Sequence, residues 1–307
     1  MLYLTYNNNG FTDGAGAQIQ RIISIYLVAK YYKLGYIHSK LLRMSYQGAK
    51  CLENNEEDST QIERYNSLFT LPSSVDNITF DRTYSSEHLS EELINNLKGG
   101  DGNTLLSVIF AHGLVDRKPE LLLQSFTLPW IQPLNIVPIV IAVHVRRGEL
   151  FVVDSDRMLP NSYYINCMKT LSQLFIEANV PYEFHLHTEI ISKPTLVTPT
   201  HHGITERIKT PVLIKPEDNH IEEFSVIPNI KYRINEDPVE TLKALSSANI
   251  LLASRSSFSY VAAILSSRAS GVVLFHPFWH SLSPAWIPVR CGQDIVNAKQ
   301  KILSACN

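Results

Sequence analysis

The chain has 307 residues, 45% of them hydrophobic and 18% charged, with a formal net charge of -2. That is globular composition with length enough for two domains of ordinary size, and it excludes wholesale disorder. It also excludes a global basic field for nucleic acid or an anionic membrane, so any anion must be held by a local site. Four scattered cysteines (Cys51, Cys167, Cys291, Cys306) form no CxxC pair and fit reduced thiols better than a disulfide framework. The start turns polar by Asn7, and no apolar run reaches the roughly 18–20 residues of a membrane span. The expectation is a soluble, cytoplasmic protein.

In chain order, "LYLTY" reads as a strand, "NNNGFTDGAG" as a turn-rich loop and "AQIQRIISIYLVAKYYKLG" as a helix that Gly35 stops. A short strand at "YIHSKL" completes a β–loop–α–β unit. Residues 51–104 are polar and interrupted, which predicts loops, one or two helices and little sheet; "LLSVIF" is then another strand. The proline-punctuated "TLPWIQPLNIVP" reads as a linker and divides the chain into residues 1–130 and 131–307. Beyond it, "IVIAVHV" is continuously apolar, the mark of a strand buried on both faces. Helices at "PNSYYINCMKTLSQLFIEAN", "PVETLKALSSA" and "SFSYVAAILSS" alternate with strands at "YEFHLHT", "NILLAS" and "GVVLF", and "GQDIVNAKQKILSA" closes as a helix. Such alternation predicts an α/β fold with parallel sheets covered on both faces.

Three segments fall at carboxyl ends of predicted strands, where such sheets bind ligands beside helix N-termini. The first is Gly14-Ala15-Gly16 in "TDGAGAQIQR"; its glycines allow close backbone approach, and the absence of a third glycine argues against a dinucleotide. The second is His144-Val145-Arg146-Arg147-Gly148-Glu149. Strand alternation puts His144 and Arg146 on one face and Arg147 on the other. Arginine binds phosphate bidentately and keeps its charge, so Arg146 is the candidate anion ligand. For Arg147 an anion site and a surface ion pair stand as equal alternatives. The third is Ser254-Arg255-Ser256-Ser257 ahead of a helix, where hydroxyls and free N–H groups form a neutral phosphate cradle and Arg255 adds charge.

Together these segments resemble the α-1,2-, α-1,6- and protein O-fucosyltransferases. That superfamily has a GT-B fold: two Rossmann-like domains facing a cleft, with a C-terminal helix returning to the first. Its histidine–x–arginine–arginine–x–aspartate motif appears here as His144 to Glu149, with glutamate in the last place. "ASRSSFSYVAA" looks like the strand-end segment of the α-1,2 branch, and "GAGAQIQRIISIYLVAK" like the glycine-rich turn before a long helix.

The resemblance implies an inverting, metal-independent glycosyltransferase without a bound cofactor, taking GDP-fucose, or a UDP-pentose such as UDP-xylose, to a hydroxyl of a glycan acceptor. Arg146 would bind the β-phosphate, with Arg147 beside it, and His144 would line the cleft near ribose or base. Ser256 and Ser257, followed by Phe258, would hold phosphate from the opposite wall, with Arg255 adjacent. Gly14, Ala15 and Gly16 would bring the first domain's backbone to the donor. Where the family carries serine/threonine–aspartate–aspartate at a strand end, this chain has His187-Thr188-Glu189, so Thr188 and Glu189 would meet base or ribose in an altered way.

A carboxylate must take the acceptor's proton. Asp13 in the glycine turn ranks first, then Asp154 or Asp156. "FVVDSD" also supports a rival, a metal-dependent transferase in which Asp154 and Asp156 form an Asp-x-Asp site. A non-enzymatic nucleotide-sugar or glycan-binding protein is the third reading. In "HPFWHSLSPAW", Trp286 reads as packing, while Trp279 could stack a sugar or base.

Overall fold

The computed structural model describes residues 1–8, 13–45, 48–54, 59–124, 126, 128–131, 137–148, 150–153, 155–198, 210–267 and 271–304. The apolar opening forms β1 (Leu2–Tyr6), buried throughout, followed by α1 (Ala15–Tyr31) and β2 (Gly35–Ile37). Next come α2 (Ala49–Asn54), α3 (Ser59–Leu68), β3 (Arg82–His88), α4 (Glu91–Lys98), β4 (Thr104–Phe110) and α5 (His112–Arg117). The strands make one parallel sheet in the order β2-β1-β4-β3.

Two expectations for this half need correction. Helix α1 is not stopped by Gly35: its C-cap is Tyr32, and Lys33 takes the left-handed conformation at φ 54°. Gly35 instead opens β2, where a Cβ would stand 2.0 Å from the ring of Tyr3. Residues 51–104 hold more structure than their polarity suggested, including β3. That strand ("RTYSSEH") is almost wholly exposed at the sheet edge, so ladder bonds to β4 build it with no buried stripe in its sequence.

The second half runs β5 (Ile139–Val145), α6 (Leu150–Val153), α7 (Asn161–Glu177), β6 (Tyr182–Thr188), β7 (Thr195–Val197), β8 (Val212–Ile214) and β9 (Ile230–Ile234). It continues with α8 (Pro238–Ser247), β10 (Ile250–Ala253), α9 (Ser257–Ser266), β11 (Val272–Phe275), β12 (Ile287–Pro288), α10 (Gly292–Asn297) and α11 (Lys299–Leu303). Six of these strands pair in parallel in the order β12-β11-β10-β5-β6-β9; β7 and β8 form a separate antiparallel pair. The expected α/β class, with two parallel-sheet units, is what the chain adopts.

Strand β5 shows why its sequence is continuously apolar. Ile139, Ile141 and Val143 pack with α7 and the C-terminal helices, while Val140 and Ala142 pack with α8 and α9. That second core runs on without a break into α1 and β1 of the first unit. Hence α1 is buried nearly all round, Gln18, Gln20, Arg21 and Ser24 included: its own sheet lies on one side and α9 on the other.

The terminal helix was expected to return to the first unit. It breaks at Ala298 into α10 and α11 and packs on α7, with Ile295 and Ile302 in that core and Lys299 paired to Glu177. The segment that reaches back is 276–286: Ser281 donates through its N–H to Asp116 Oδ1 (2.9 Å) and through its hydroxyl to the Asp116 carbonyl (2.8 Å).

Candidate active site between two helix N-termini

On the first unit, the turn after β1 delivers Asp13 and Gly14 to the start of α1. Asp13 Oδ1 accepts the Gly14 N–H (2.8 Å), and Oδ2 accepts Arg21 Nη2 (2.6 Å). Arg21 lies two turns along the helix, its guanidinium 4.8 Å from the Phe110 ring centroid. Gln18 completes the bracket, its Nε2 donating to the carbonyls of Asp13 (2.7 Å) and Arg43 (2.8 Å). The carboxylate is therefore fixed, while a third of its surface stays open to solvent.

The three candidate donor segments of the second unit follow neighbouring strands, β10, β5 and β6, so they share one sheet edge. After β5, Arg146 turns to the face of the first unit and pairs with Glu189 after β6 (3.6 Å). After β10, Ser256 caps α9, its hydroxyl accepting the Phe258 N–H (3.2 Å), and Ser257 opens the helix. The first turns of α1 and α9 touch. A Cβ on Gly16 would stand 2.6 Å from the Phe258 nitrogen, whereas one on Gly14 would meet no atom within 4 Å. Two positive helix ends thus converge, an arrangement that favours an anion.

Several expected ligands serve the interior instead. Arg147 is buried on the α7 side, donating to the Arg146 carbonyl (2.7 Å) and to Asn161 Oδ1, with its guanidinium 6.0 Å from the centroid of the Tyr164 ring. It takes neither role expected of it, because alternation sends it to the covered face. Thr188 is buried and donates its hydroxyl to the Val145 carbonyl (2.7 Å). His144 is also buried, and its Nδ1 meets Ser259 Oγ (2.5 Å) and Ser254 Oγ (3.0 Å). Burial, then the charge of Arg146, holds its pKa well below the ordinary value, so it is a neutral stitch between β5 and α9 rather than an open cleft residue. Gly16 serves the helix contact and Ala15 the core.

Asp156 is exposed, and its carbonyl accepts Arg255 Nη1 (3.2 Å), while Arg255 Nε donates to His276 Nδ1 (3.3 Å). Asp154 and Glu149 lie outside the described residues. Among the described residues no cluster of three or more His, Cys, Asp or Glu is placed to hold a metal, and no helix is long and apolar enough to cross a membrane.

No family model matches the chain, and no protein of curated function matches its sequence. In structure it is similar over 99% of its length to E. coli heptosyltransferase WaaC with ADP-2-deoxy-2-fluoro heptose, covering 99% of that chain at 10% identity and a TM-score of 0.42. It is similar also to E. coli ADP-heptose LPS heptosyltransferase II (99% of this chain and 96% of that one, 13% identity, TM-score 0.35). A third likeness is to sucrose-phosphate synthase from Thermosynechococcus elongatus (99% and 64%, 13% identity, TM-score 0.27).

Sequence reasoning missed Arg21 and Ser259 as the partners of Asp13 and His144. Both sit on helices whose register could have paired them with the motifs, Arg21 eight residues after Asp13 and Ser259 five after Ser254. It also missed His280, which stands against α1 and α9 at once: its Nδ1 is 3.2 Å from the Gln20 amide and its Nε2 is 3.5 Å from Ser257 Oγ. Nothing in "HPFWHSLSPAW" marks that contact; only the fold supplies it.

Proposed function

We propose that the chain is an inverting glycosyltransferase of GT-B type that moves a sugar from a nucleoside-diphosphate sugar to a glycan hydroxyl without a metal. Residues 1–130 form the acceptor unit and residues 131–307 the donor unit. The observation that carries this reading is the meeting of the α1 and α9 N-termini, with the carboxylate of Asp13 fixed at the start of α1 and Arg146 following β5, the strand beside β10. The donor's diphosphate lies on Ser256, Ser257 and the free N–H groups of α9, with Arg146 countering the charge that develops as it leaves. Arg255 adds charge at the same edge, and Glu189 accepts from ribose hydroxyls as a strand-end carboxylate does in other nucleotide folds.

Asp13 removes the proton of the acceptor hydroxyl. The acceptor oxygen bonds to the anomeric carbon from the face opposite the phosphate, and the carbon–oxygen bond to the diphosphate breaks with its electron pair leaving on phosphate. One displacement inverts the configuration. The resemblance to the fucosyltransferases names GDP-fucose as the donor, with a UDP-pentose second.

The test is thermal stability with GDP, UDP or ADP, each in EDTA and in manganese. A ligand at a 100-fold excess over Kd stabilises by about 2.7 kcal/mol, so binding is readily seen. One nucleotide stabilising in EDTA is the expected result, and Arg146→Ala should abolish that shift and lower transfer by about 10²–10³-fold. Stabilisation only with manganese would move the phosphate site to Asp154 and Asp156. A protein indifferent to all three nucleotides would end this reading.

A further inference from the structure

A row of aromatic and imidazole rings crosses from one unit to the other, and Arg21, which grips Asp13, lies on one of its rings. His88 and Phe110, paired in register at the ends of β3 and β4, stack with centroids 5.2 Å apart. Phe110 meets His112 edge-on at 5.4 Å, and His112 meets His280 of the second unit at 6.3 Å. Trp279 follows at 5.8 Å from His280, with the Arg157 guanidinium 4.6 Å from the centroid of its ring. Both ends of the row are open: Trp279 is 54% exposed, and the His88 side chain 71%.

This row is built rather than incidental. The Trp279 indole N–H, which can only donate, is 3.1 Å from His280 Nε2. Nε2 is then the bare nitrogen that accepts it. His280 is buried and uncharged, so Nε2 stays able to accept this bond. The loop is further tied by the Tyr260 hydroxyl donating to the Ser281 carbonyl (3.0 Å) and by the Ser281–Asp116 bonds. An exposed indole is thus held rigidly, with little rotamer entropy left to lose when a ligand stacks on it.

Its position also points to a ligand. Arg21, which grips Asp13, is the residue that lies on Phe110, and His280 touches Ser257 of the α9 cradle. The row therefore runs past the candidate base and the candidate donor site together. We infer that His88, Phe110, His112 and Trp279, with Arg157, form the acceptor subsite, and that its occupant is an oligosaccharide of more than one ring. Pyranose rings offer apolar C–H faces to aromatic rings and hydroxyls at their rims; the imidazoles supply a donor and an acceptor each along the same row. A row spanning both units suits a chain of sugars better than a single one. This assignment rests on the transferase reading above.

The test is capture on a broad glycan microarray by wild-type protein, Trp279→Ala, Trp279→Phe and His112→Ala, run beside the nucleotide stability assay on the same preparations. The wild type should bind a set of oligosaccharides and none of the monosaccharides. Trp279→Ala and His112→Ala should each weaken that binding roughly tenfold. Trp279→Phe, which keeps a stacking ring, should fall between. Melting temperatures close to wild type show that the variants fold. Nucleotide stabilisation without glycan capture, or capture that both alanine variants retain in full, would overturn the subsite and leave the transferase reading standing. Glycan capture that depends on Trp279, with no nucleotide response, would keep the subsite and remove the transferase reading.

Discussion

Asp13 has both carboxylate oxygens engaged, one by its neighbour's N–H and one by Arg21, and each keeps a lone pair for a further proton. Such a carboxylate is aimed rather than free, which is what a base at a one-step displacement requires. Asp13→Asn should retain the nucleotide-induced stability shift and lower kcat by about 10²–10⁴; unchanged kcat would remove Asp13 from the chemistry. Arg147 makes the opposite case. Its charge is buried between a backbone carbonyl, Asn161 and Tyr164, so Arg147→Ala would leave the Asn161 oxygen without its donor. A loss of about 2–4 kcal/mol is expected, read as a lower denaturant midpoint at unchanged slope. A midpoint equal to wild type with transfer abolished would return Arg147 to the donor site.

At the scale of elements, the contact of α1 with α9 is decided by one missing side chain. The atoms facing Gly16 are the Phe258 nitrogen and Cα, at 2.6 and 2.7 Å from a built Cβ, and backbone cannot swing aside. Gly16→Ala should cost about 1–3 kcal/mol, seen as a lowered melting temperature. Gly14→Ala faces open space and should shift it far less; equal effects would place the glycine requirement at the turn instead. The same scale explains the two misread elements. Strand β3 carries no apolar alternation because both its faces are exposed, and the terminal helix stays on α7 because its apolar residues, Ile295 and Ile302, complete that core.

Across the whole molecule, both units share one hydrophobic cluster, and among the described residues three buried histidines are kept uncharged. Burial is the first cause in each. It brings His187 and His280 down to about 3, and holds His144 well below its usual value. In the unfolded chain the same groups take up protons near pH ~6.5. Below that pH the unfolded state binds more protons than the folded one. Stability is therefore complete above it and falls as the pH drops, by about 1.4 kcal/mol per pH unit for each histidine. Urea midpoints at pH 7, 5.5 and 4.5 should decline in that order. A midpoint constant across the range would mean that these side chains are open to protons in the folded state.

By itself, the sequence determined the α/β class, strands β5, β6, β10 and β11 with helices α7, α8 and α9 between them, and the strand ends after β10, β5 and β6; it did not mark α6, β7, β8, β9 or β12. Continuous apolar runs and helix periodicity are local signals, and the strand-end position of an arginine or a serine pair is local too. Only the tertiary structure decided which of those residues face the cleft. Arg146 and Arg147 are adjacent in sequence, yet one pairs with Glu189 at the open edge and the other is covered by α7. Nor could spacing bring Trp279 and His280 to the side of α1, because that contact joins residues 260 positions apart through a core that both units bury together.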